Sequence, residues 1–293
     1  MTPLKENNNI PLTLIVPLVI ILFLIVIFPT AYSFYISLFD WNPSSGTGMH
    51  FIGLGNYLGV ITNSQAVHAI GITLLMTIIA VTIEFFLGLG VALVLTQSRR
   101  GVKFVRSILI MPMVLAPIIV GLMWRYIYFP DGGIFGYISV NLLHLPLQEG
   151  VLASTKTALL AVVIADIWEW TPFVSLILIG GLQSISIEAV ESARVDGATA
   201  TQIFRYITMP LMRSFILVSL LFRTMDLIKV FDIVYALTRG GPGEATTTIS
   251  FFTYQEGLSF FNLGFASALS WVVLIIVTVI SQFYIRVLSQ QRA

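Results

Sequence analysis

Seven ionisable side chains interrupt the long apolar runs of this 293-residue sequence: Glu84, Asp166, Glu169, Arg223, Asp226, Lys229 and Asp232. A charged group costs roughly 3 kcal/mol or more at the centre of a bilayer unless it faces protein or water. Each of these residues is therefore a candidate functional group. Asp166, Glu169 and Phe173 share one helix face by their spacing, and Asp166 and Arg223 both fall near the middle of their apolar runs.

Arg223, Asp226, Lys229 and Asp232 follow one another every three residues with alternating sign. This spacing predicts an ion-pair ladder along one drifting helical face. Contact with a transported polar solute is the other interpretation, and the pattern alone leaves both open. For Lys229 and Asp232 the ladder is the favoured interpretation, and Lys229 can also extend toward the outer membrane face. Glu84 has no evident partner in the sequence and is assigned to helix packing.

A second polar feature, the stretch Ile187 to Pro210, separates two apolar runs and carries Glu188, Glu191, Arg194, Asp196 and Arg205. The pattern predicts two short helices joined at Gly197, which adopts backbone conformations that other residues resist. Asp196 is expected to end the first helix and Thr199 to cap the second. Pro210 suits the first turn of the helix that follows. We call this stretch the elbow; it either seats in a cleft of another protein or lies on lipid headgroups.

Residue patterns typical of covalent catalysis are absent from the sequence. No G-x-x-x-x-G-K-[ST] phosphate-binding loop occurs, and the Gly-rich segment 240–248 lacks the lysine that would reach a phosphate. His50, His68 and His144 lack ligand spacing to one another, and zero Cys excludes thiolate metal sites. We therefore expect neither an enzyme nor a metal site. The formal charge of +1 gives no reason to expect a nucleic-acid partner.

The composition indicates that membrane-spanning helices position these groups. Hydrophobic residues make up 57% of the chain, charged residues only 10%, and the mean hydropathy is +0.95, whereas about a quarter of an ordinary soluble domain is charged. Six apolar segments are near or above the roughly 20 residues of a spanning helix: 12–39, 70–96, 104–128, 157–182, 211–236 and 264–288. The first exceeds the length of a signal-peptide core and is interpreted as a retained helix. The predicted fold class is an all-α integral membrane protein with six transmembrane helices.

The positions of Lys and Arg predict the orientation of these segments. With the N-terminus inside, ten fall on the inner side, two on the outer side and three within membrane segments. The inner set is Lys5, Arg99, Arg100, Lys103, Arg106, Arg194, Arg205, Arg213, Arg286 and Arg292, and the outer set is Lys156 and Arg239. The positive-inside rule therefore predicts that both termini and the elbow are cytoplasmic.

The spacing within the elbow resembles the cytoplasmic EAA loop of permease subunits in binding-protein-dependent ABC importers. That loop reads Glu-Ala-Ala, three residues, Gly, nine residues, then Ile-x-Leu-Pro. Here the corresponding residues are Glu191-Ser192-Ala193, Gly197 and Ile207 to Pro210, with Ser192 and Met209 as departures. Segments resembling the carbohydrate-uptake branch are FIGLGNY (51–57), the helix with Pro112 and Trp124, WTPF (170–173), GLQSI (181–185), and GGPGEATTT followed by GFASAL. The resemblance covers residues from about 51 to 288.

The resemblance implies a type I ABC importer permease fold in the cell membrane, with an N-terminal transmembrane helix and extracytoplasmic loop over 1–68. A five-helix permease core would follow over 69–288 and a cytoplasmic tail over 289–293. The implied partners are a second, homologous permease in a heterodimer, two ATP-binding subunits and an extracytoplasmic solute-binding protein. The chain itself would hold no cofactor, because ATP and Mg²⁺ would be bound by the partner subunits.

The resemblance also implies two sets of site residues. A coupling loop over 183–212 would insert into the ATPase, through Glu188, Glu191, Ser192, Ala193, Asp196, Gly197, Ala198, Ile207 and Pro210. The solute pathway would be lined by Asp166, Glu169, Phe173, Arg223 and Asp226, which we expect to form a polar station for a hydroxyl-rich solute. A sugar, from mono- to oligosaccharide, is the expected solute.

Two alternatives to sugar import remain from the sequence. Glycerol phosphate could be the solute of the same importer type, because Arg223 and Lys229 would suit an anion. A stand-alone secondary transporter, coupled to protons through Glu84 and Asp166, is less favoured because no internal repeat is evident.

Overall fold

The computed structural model describes residues 12–97, 101–130, 132–138 and 150–290, which are mostly helical. Lys5, Arg99, Arg100, His144, Arg292 and the last part of the predicted tail lie outside the described residues. The helices are α1 (Leu12–Leu22), α2 (Phe28–Ser37), α3 (Gly55–Thr62), α4 (Ser64–Leu95), α5 (Val102–Val114), α6 (Pro117–Ile127), α7 (Ile134–Tyr137), α8 (Ala158–Gln183), α9 (Ile187–Val195), α10 (Ala200–Ile203), α11 (Met209–Leu211), α12 (Arg213–Ile228), α13 (Asp232–Leu237), α14 (Ile249–Tyr254) and α15 (Leu263–Ser289). Wide π-type turns at Phe23–Ile27, Phe204–Thr208 and Gln255–Ser259 follow α1, α10 and α14.

Four helical segments in the described part of the chain are long and apolar enough to cross a membrane. They are Ile15–Ser37, Ser64–Leu95, Ala158–Gln183 and Leu263–Ser289. Helices α5 and α6 add a fifth if they are counted as one span with a bend of 96°. The bend falls at Ala116, whose backbone is extended with ψ of 135°. Pro117 follows it, and a proline disfavours helical backbone in the residue before it.

The predicted apolar segment 211–236 is not one continuous helix. Helix α12 ends at Ile228 and α13 begins at Asp232. The backbone amides of Lys229 and Val230 donate to the carbonyl oxygens of Asp226 (3.0 Å) and Leu227 (3.1 Å), which is the tighter bonding of a final turn rather than a continuing α-helix. The number of six spans therefore stays a prediction. The cytoplasmic position of the termini is also still a prediction.

The chain divides into two compact units: residues 1–62 with 253–272, and residues 63–252 with 273–293. In the first unit, strand β1 (Phe39–Asp40) pairs antiparallel with β2 (His50–Phe51). Asn56 of the FIGLGNY segment donates its side-chain amide to the carbonyl oxygens of Ser37 (2.9 Å) and Phe39 (2.8 Å). Gly264 lies so close to the Phe39 carbonyl that any Cβ would collide with it. The segment therefore fastens the hairpin to α2.

The second unit is built on the packing of α4 against α8, with α12 against both. The buried residues of α4 recur at intervals of three and four, so that they form one face of the helix: Ala66, Ala69, Thr73, Met76, Thr77, Ala80, Glu84, Gly88, Leu89, Ala92 and Leu95. Small residues along this face allow close approach of the helices. The same face carries Glu84 into the interior between α8 and α12.

The Gly-rich segment after α13 is a compact loop held by threonine hydroxyls. Thr246 Oγ1 donates to the Gly241 carbonyl at 2.9 Å, and Thr247 Oγ1 donates to the Gly240 carbonyl at 3.1 Å. Thr246 and Thr247 are both buried. The Glu244 carboxylate accepts a hydrogen bond of 2.6 Å from the side chain of Gln65 at the start of α4. The segment is thus a structural turn rather than a phosphate-binding loop.

Candidate functional site

Three helices bring one arginine and three carboxylates together inside the second unit. Arg223 of α12 donates from Nε (2.6 Å) and Nη2 (2.7 Å) to the two carboxylate oxygens of Glu84 on α4. Its Nη2 also donates to Asp166 Oδ2 on α8 at 2.7 Å, and its Nη1 donates to Asp226 Oδ2 at 2.8 Å. Arg223, Glu84 and Asp166 are buried, whereas the side chain of Asp226 is 54% exposed. We call these four residues the arginine cluster.

Most of the hydrogen-bond donors of Arg223 are bonded to carboxylates of the protein itself. A guanidinium has five N–H donors, and four of them are used here. The two parallel bonds to Glu84 match the planar fork of the guanidinium, which is the stronger bidentate geometry. Glu84, which the sequence left without a partner, is therefore a principal partner of Arg223. Two features of the sequence could have indicated this pairing. Glu84 has the opposite charge to Arg223, and both residues lie deep within apolar runs.

The predicted ion-pair ladder on α12 is confined to its first pair. In the described part of the chain every ion pair within 4.0 Å involves Arg223, so Lys229 and Asp232 form none. The expectation that these two residues extend the ladder is wrong because α12 ends at Ile228. The residues beyond that point no longer follow the helical spacing that would stack them on Asp226.

Glu169 lies beside the cluster on α8 but has a different environment. Its side chain is 0% exposed, and neither carboxylate oxygen has a hydrogen-bond partner among the described residues. It lines a cavity of about 90 Å³, with room for several water molecules. The other lining residues are Pro117, Asp166, Trp170, Asp226, Lys229, Val230, Phe231, Asp232 and Ile233.

Trp170, which the sequence indicated only as part of the WTPF segment, also lines this cavity. The Arg223 guanidinium carbon lies 4.9 Å from the centroid of the Trp170 ring, within the range of a cation–π contact. Phe173, which the sequence predicted for the site, packs edge-on against Trp170 at 6.0 Å and against Phe222 at 6.4 Å. Phe173 therefore supports Trp170 and is not among the residues that line the cavity.

The elbow has the two predicted short helices, α9 and α10. Gly197 follows α9 with φ of +82°, a conformation that costs other residues about 1–2 kcal/mol. The amide of Gly197 donates to the Arg194 carbonyl at 3.1 Å, and that of Ala198 donates to the Ala193 carbonyl at 2.9 Å, which is the Schellman ending of a helix. Asp196 is the last residue before this turn, as expected.

Helix α10 begins at the predicted cap. The Thr199 hydroxyl accepts from the Gln202 amide at 3.3 Å, and the Gln202 side chain accepts from the Thr199 amide at 2.7 Å. This reciprocal pair is a capping box. Pro210 lies in α11, which continues without a break from the π-type turn at Phe204–Thr208, so it does not stand at the start of a separate helix as expected. The local conformation of the elbow is therefore encoded by its own residues.

The elbow presents polar groups and apolar side chains on its surface. Its exposed residues include Glu188, Glu191, Ser192, Asp196, Gly197 and Pro210, whereas Ala193, Ala198 and Ile207 are half-buried. Val195 is 87% exposed and Tyr206 is 69% exposed. A groove of about 330 Å³ is lined by Asp196, Gly197, Ala198, Gln202, Ile203, Tyr206 and Ile207. Of the nine predicted coupling residues, four thus line the groove, four others are exposed, and Ala193 is half-buried.

The residues that follow α10 connect the elbow to the helices of the arginine cluster. Phe204 and Met209 pack against a buried cluster that contains Met212 at the end of α11, together with residues of α4 and α8. The residues of that cluster from α4 and α8 are Leu89, Ala92, Leu95, Val174, Leu178 and Ile179. Helices α8 and α12 also run directly from the elbow to Asp166 and Arg223. The elbow is thus packed against, and continuous with, the helices that carry the cluster.

Comparison with known proteins places the chain in a class. Residues 84–291 match the family described as "Binding-protein-dependent transport system inner membrane component". The chain is 38% identical over 266 residues to the probable ABC transporter permease protein y4oQ of Sinorhizobium fredii, covering 90% of this chain and 85% of that protein. It is 34% identical over 277 residues to the trehalose/maltose transport system permease protein MalF of Thermococcus litoralis, covering 94% and 92%.

The fold also resembles one chain of a crystal structure of a bacterial ABC transporter involved in the import of the acidic polysaccharide alginate. The TM-score is 0.80 with 22% sequence identity, and the match covers 95% of this chain and 94% of that one. The chain belongs to the inner-membrane component family of binding-protein-dependent transport systems. It is a membrane permease subunit of an ABC transporter and a transport component rather than an enzyme. The resemblance drawn from the elbow spacing is confirmed.

Proposed function

We propose that this chain is the transmembrane permease subunit of an ATP-driven sugar importer, and that it moves solute delivered by an extracytoplasmic binding protein. The family match over residues 84–291 and the 34% identity to a trehalose/maltose permease support this function. Six spans would be formed by α1 with α2, α4, α5 with α6, α8, α12 with α13, and α15. The distribution of Lys and Arg supports cytoplasmic termini.

The complete importer would contain a second, homologous permease in a heterodimer with this chain and two ATP-binding subunits. ATP and Mg²⁺ would be bound by those subunits, since the sequence has no phosphate-binding loop. The elbow would dock on an ATPase and follow its closure. Its exposed groove and the exposed side chains of Val195 and Tyr206 support such a contact, because apolar groups on a polar surface indicate protein interaction sites.

The solute would pass beside the arginine cluster. In this arrangement Arg223 holds Glu84, Asp166 and Asp226 in place, while Glu169 offers two unpaired acceptor oxygens to the cavity. Sugar hydroxyls donate hydrogen bonds to carboxylates, and Trp170 supplies an aromatic face. The cavity of about 90 Å³ is small in this state, so the helices would have to separate before a whole sugar ring could enter.

The hydrogen bonding of Arg223 to carboxylates of this chain is the observation that favours a sugar over glycerol phosphate as the solute. Four of its five donors are bonded to carboxylates of this chain, which leaves little capacity to bind an anion. Among the described residues, the cavity lining also contains Asp166, Glu169, Asp226 and Asp232, with Lys229 as its one cationic residue. An anionic solute would meet net repulsion there. A neutral, hydroxyl-rich solute fits these charges better.

Uptake by the complete importer tests this function. The chain would be purified with its partner permease, ATP-binding subunits and binding protein, and reconstituted in vesicles. Radiolabelled trehalose, maltose and sn-glycerol 3-phosphate would be offered with and without ATP. We expect ATP-dependent accumulation of at least one of the two sugars and none of glycerol phosphate. Accumulation of glycerol phosphate alone, or uptake driven by a proton gradient without ATP-binding subunits, would contradict the proposal.

A further inference from the structure

Glu169 is distinguished from the other buried acids by its lack of a partner. Glu84 and Asp166 are both bonded to Arg223, whereas neither oxygen of Glu169 is bonded to any described residue. A buried carboxylate without a partner carries its full desolvation cost. A cation that can reach the cavity would lower the free energy of this arrangement.

Lys229 is the cation available on this chain. It is the one Lys or Arg among the described residues that line the cavity, and it forms no ion pair within 4.0 Å in the described part of the chain. It follows the last residue of α12, in the turn that leads to α13. A lysine at a helix end can swing its four-carbon side chain without disturbing a helix interior.

Three other carboxylates line the cavity and could attract Lys229. Asp166 is already paired with Arg223 at 2.7 Å, and exposure decides against the other two. Asp226 and Asp232 lie three residues before and after it, and both are exposed. An ion pair between exposed groups contributes about 0–1 kcal/mol. The attraction to a charge in the low-dielectric interior is larger at equal distance, and entry of Lys229 would partner Glu169 rather than bury a new charge alone.

We propose that Lys229 is a tethered counter-ion for Glu169. In the solute-free importer its ammonium group enters the cavity and pairs with the Glu169 carboxylate, and the arriving solute displaces it. Lys229 thereby regulates occupation of the cavity. This proposal rests on the proposed function of the cavity as part of a solute pathway.

Zero-length cross-linking tests the pairing without any solute. A water-soluble carbodiimide joins the Lys229 Nζ to a carboxyl carbon as an amide, and the water that is lost converts the carbodiimide to its urea. The complete importer in vesicles, free of sugar, would be treated, digested and analysed by mass spectrometry. We expect a peptide pair joined through Lys229 and Glu169, which is absent in Glu169→Gln. Products that join Lys229 to Asp166, Asp226 or Asp232 without any product at Glu169 would overturn the proposal, because they show reagent access without the pairing.

Displacement is tested in the same vesicles with trehalose and maltose as probes. The two sugars together should lower the yield of the Lys229–Glu169 product at least about threefold, since solute and Lys229 compete for one site. An unchanged yield with a complex that imports either sugar would refute displacement. If the wild-type complex imports neither sugar, the proposed function fails instead, and the sugar-free cross-link still decides the pairing.

A charge exchange provides a second measurement that does not depend on the reagent. Glu169→Lys and Lys229→Glu should each reduce ATP-dependent uptake at least about tenfold, and the double variant should recover to within about threefold of wild type because the pair is restored. An additive loss in the double variant would argue against pairing. Membrane insertion of each variant would be checked by the amount of chain that purifies with the ATP-binding subunits.

Discussion

At residue scale, Arg223 has a partner on each of two other helices. The stability of the arginine cluster therefore depends on all of its members being present. Removing one member of a buried ion pair leaves an uncompensated charge, whereas removing both members is far less costly. The cluster contains three carboxylates for one guanidinium. Loss of the arginine would therefore be more damaging than loss of any single acid. The loss of stability on replacing each acid should be larger the more deeply that acid is buried.

We predict that Glu84→Gln lowers the stability of the complex by about 1–3 kcal/mol, because two buried hydrogen bonds to Arg223 are weakened while Asp166 and Asp226 still balance its charge. Asp226→Asn is the matched control. Its side chain is 54% exposed, so the expected loss is about 1 kcal/mol or less. The measurement is the temperature at which the solubilised complex loses its monodisperse gel-filtration peak. Equal losses in the two variants would contradict the difference in burial.

The sequence predicted part of this site at residue scale. Asp166 and Arg223 were both expected in one polar group because they lie deep in their apolar runs, and the structure joins them by a hydrogen bond of 2.7 Å. The partnership of Glu84 could not be predicted, because it depends on which face of α4 turns toward α12. The burial of Glu169 and the position of Trp170 depend on the packing of α8 against several neighbours. Spacing along one helix contains no information about those contacts.

At the scale of elements, the elbow follows from local rules. Thr199 and Gln202 cap one helix, and the positive φ of Gly197 ends the other. These features were predictable because each depends on residues within a few positions along the chain. The break between α12 and α13 was not predictable in the same way, since Val230 and Phe231 are apolar and contain no helix-breaking signal. Tertiary packing overrides the apolar pattern there.

We predict that Gly197→Ala impairs coupling without preventing insertion. A Cβ at Gly197 would meet no atom within 4 Å, so its effect comes from φ of +82° alone. The strain of about 1–2 kcal/mol would reduce the population of the native elbow by about 5–30-fold relative to its alternatives. ATP-dependent uptake should fall accordingly.

Gly180→Ala is the control for this substitution. Gly180 lies within α8, and a Cβ there would also meet no atom within 4 Å, but its backbone is helical. Alanine is favoured over glycine in a helix by about 1 kcal/mol, so uptake should be retained. Normal uptake by Gly197→Ala, measured beside this control, would refute the coupling role of the elbow conformation.

At the scale of the whole molecule, the surface requires lipid or protein around it. In the span Ile15–Ser37, none of the residues in its most apolar stretch is buried within the chain. The span Ala158–Gln183 has 61% of the corresponding stretch buried, so α8 is the most enclosed span. The apolar side chains of Ile15–Ser37 therefore face lipid or a partner, whereas α8, which carries Asp166 and Glu169, is enclosed by helices of the second unit. Composition predicted the membrane class, but only packing distinguishes the two positions.

We predict an orientation that cysteine labelling can test. The chain contains no Cys, so a maleimide can label only the single cysteine that is introduced. Ala200→Cys in the elbow should react with a membrane-impermeant maleimide only from the cytoplasmic side. Met49→Cys, an exposed position before β2, should react only from the outside. Sealed vesicles of both orientations provide the comparison, and labelling of both cysteines from one side would contradict the predicted topology.

The arginine cluster has a consequence for biogenesis. Asp166 precedes Arg223 by 57 residues and Glu84 precedes it by 139 residues, so both acids are synthesised before their counter-ion. At about 5–20 residues per second, Asp166 waits about 3–11 s and Glu84 about 7–28 s for the arginine. During that interval α4 and α8 must be retained beside the insertion machinery or water. A nascent chain that stops after α8 contains three acids within its spans, Glu84, Asp166 and Glu169, and no Arg223 to pair with the first two.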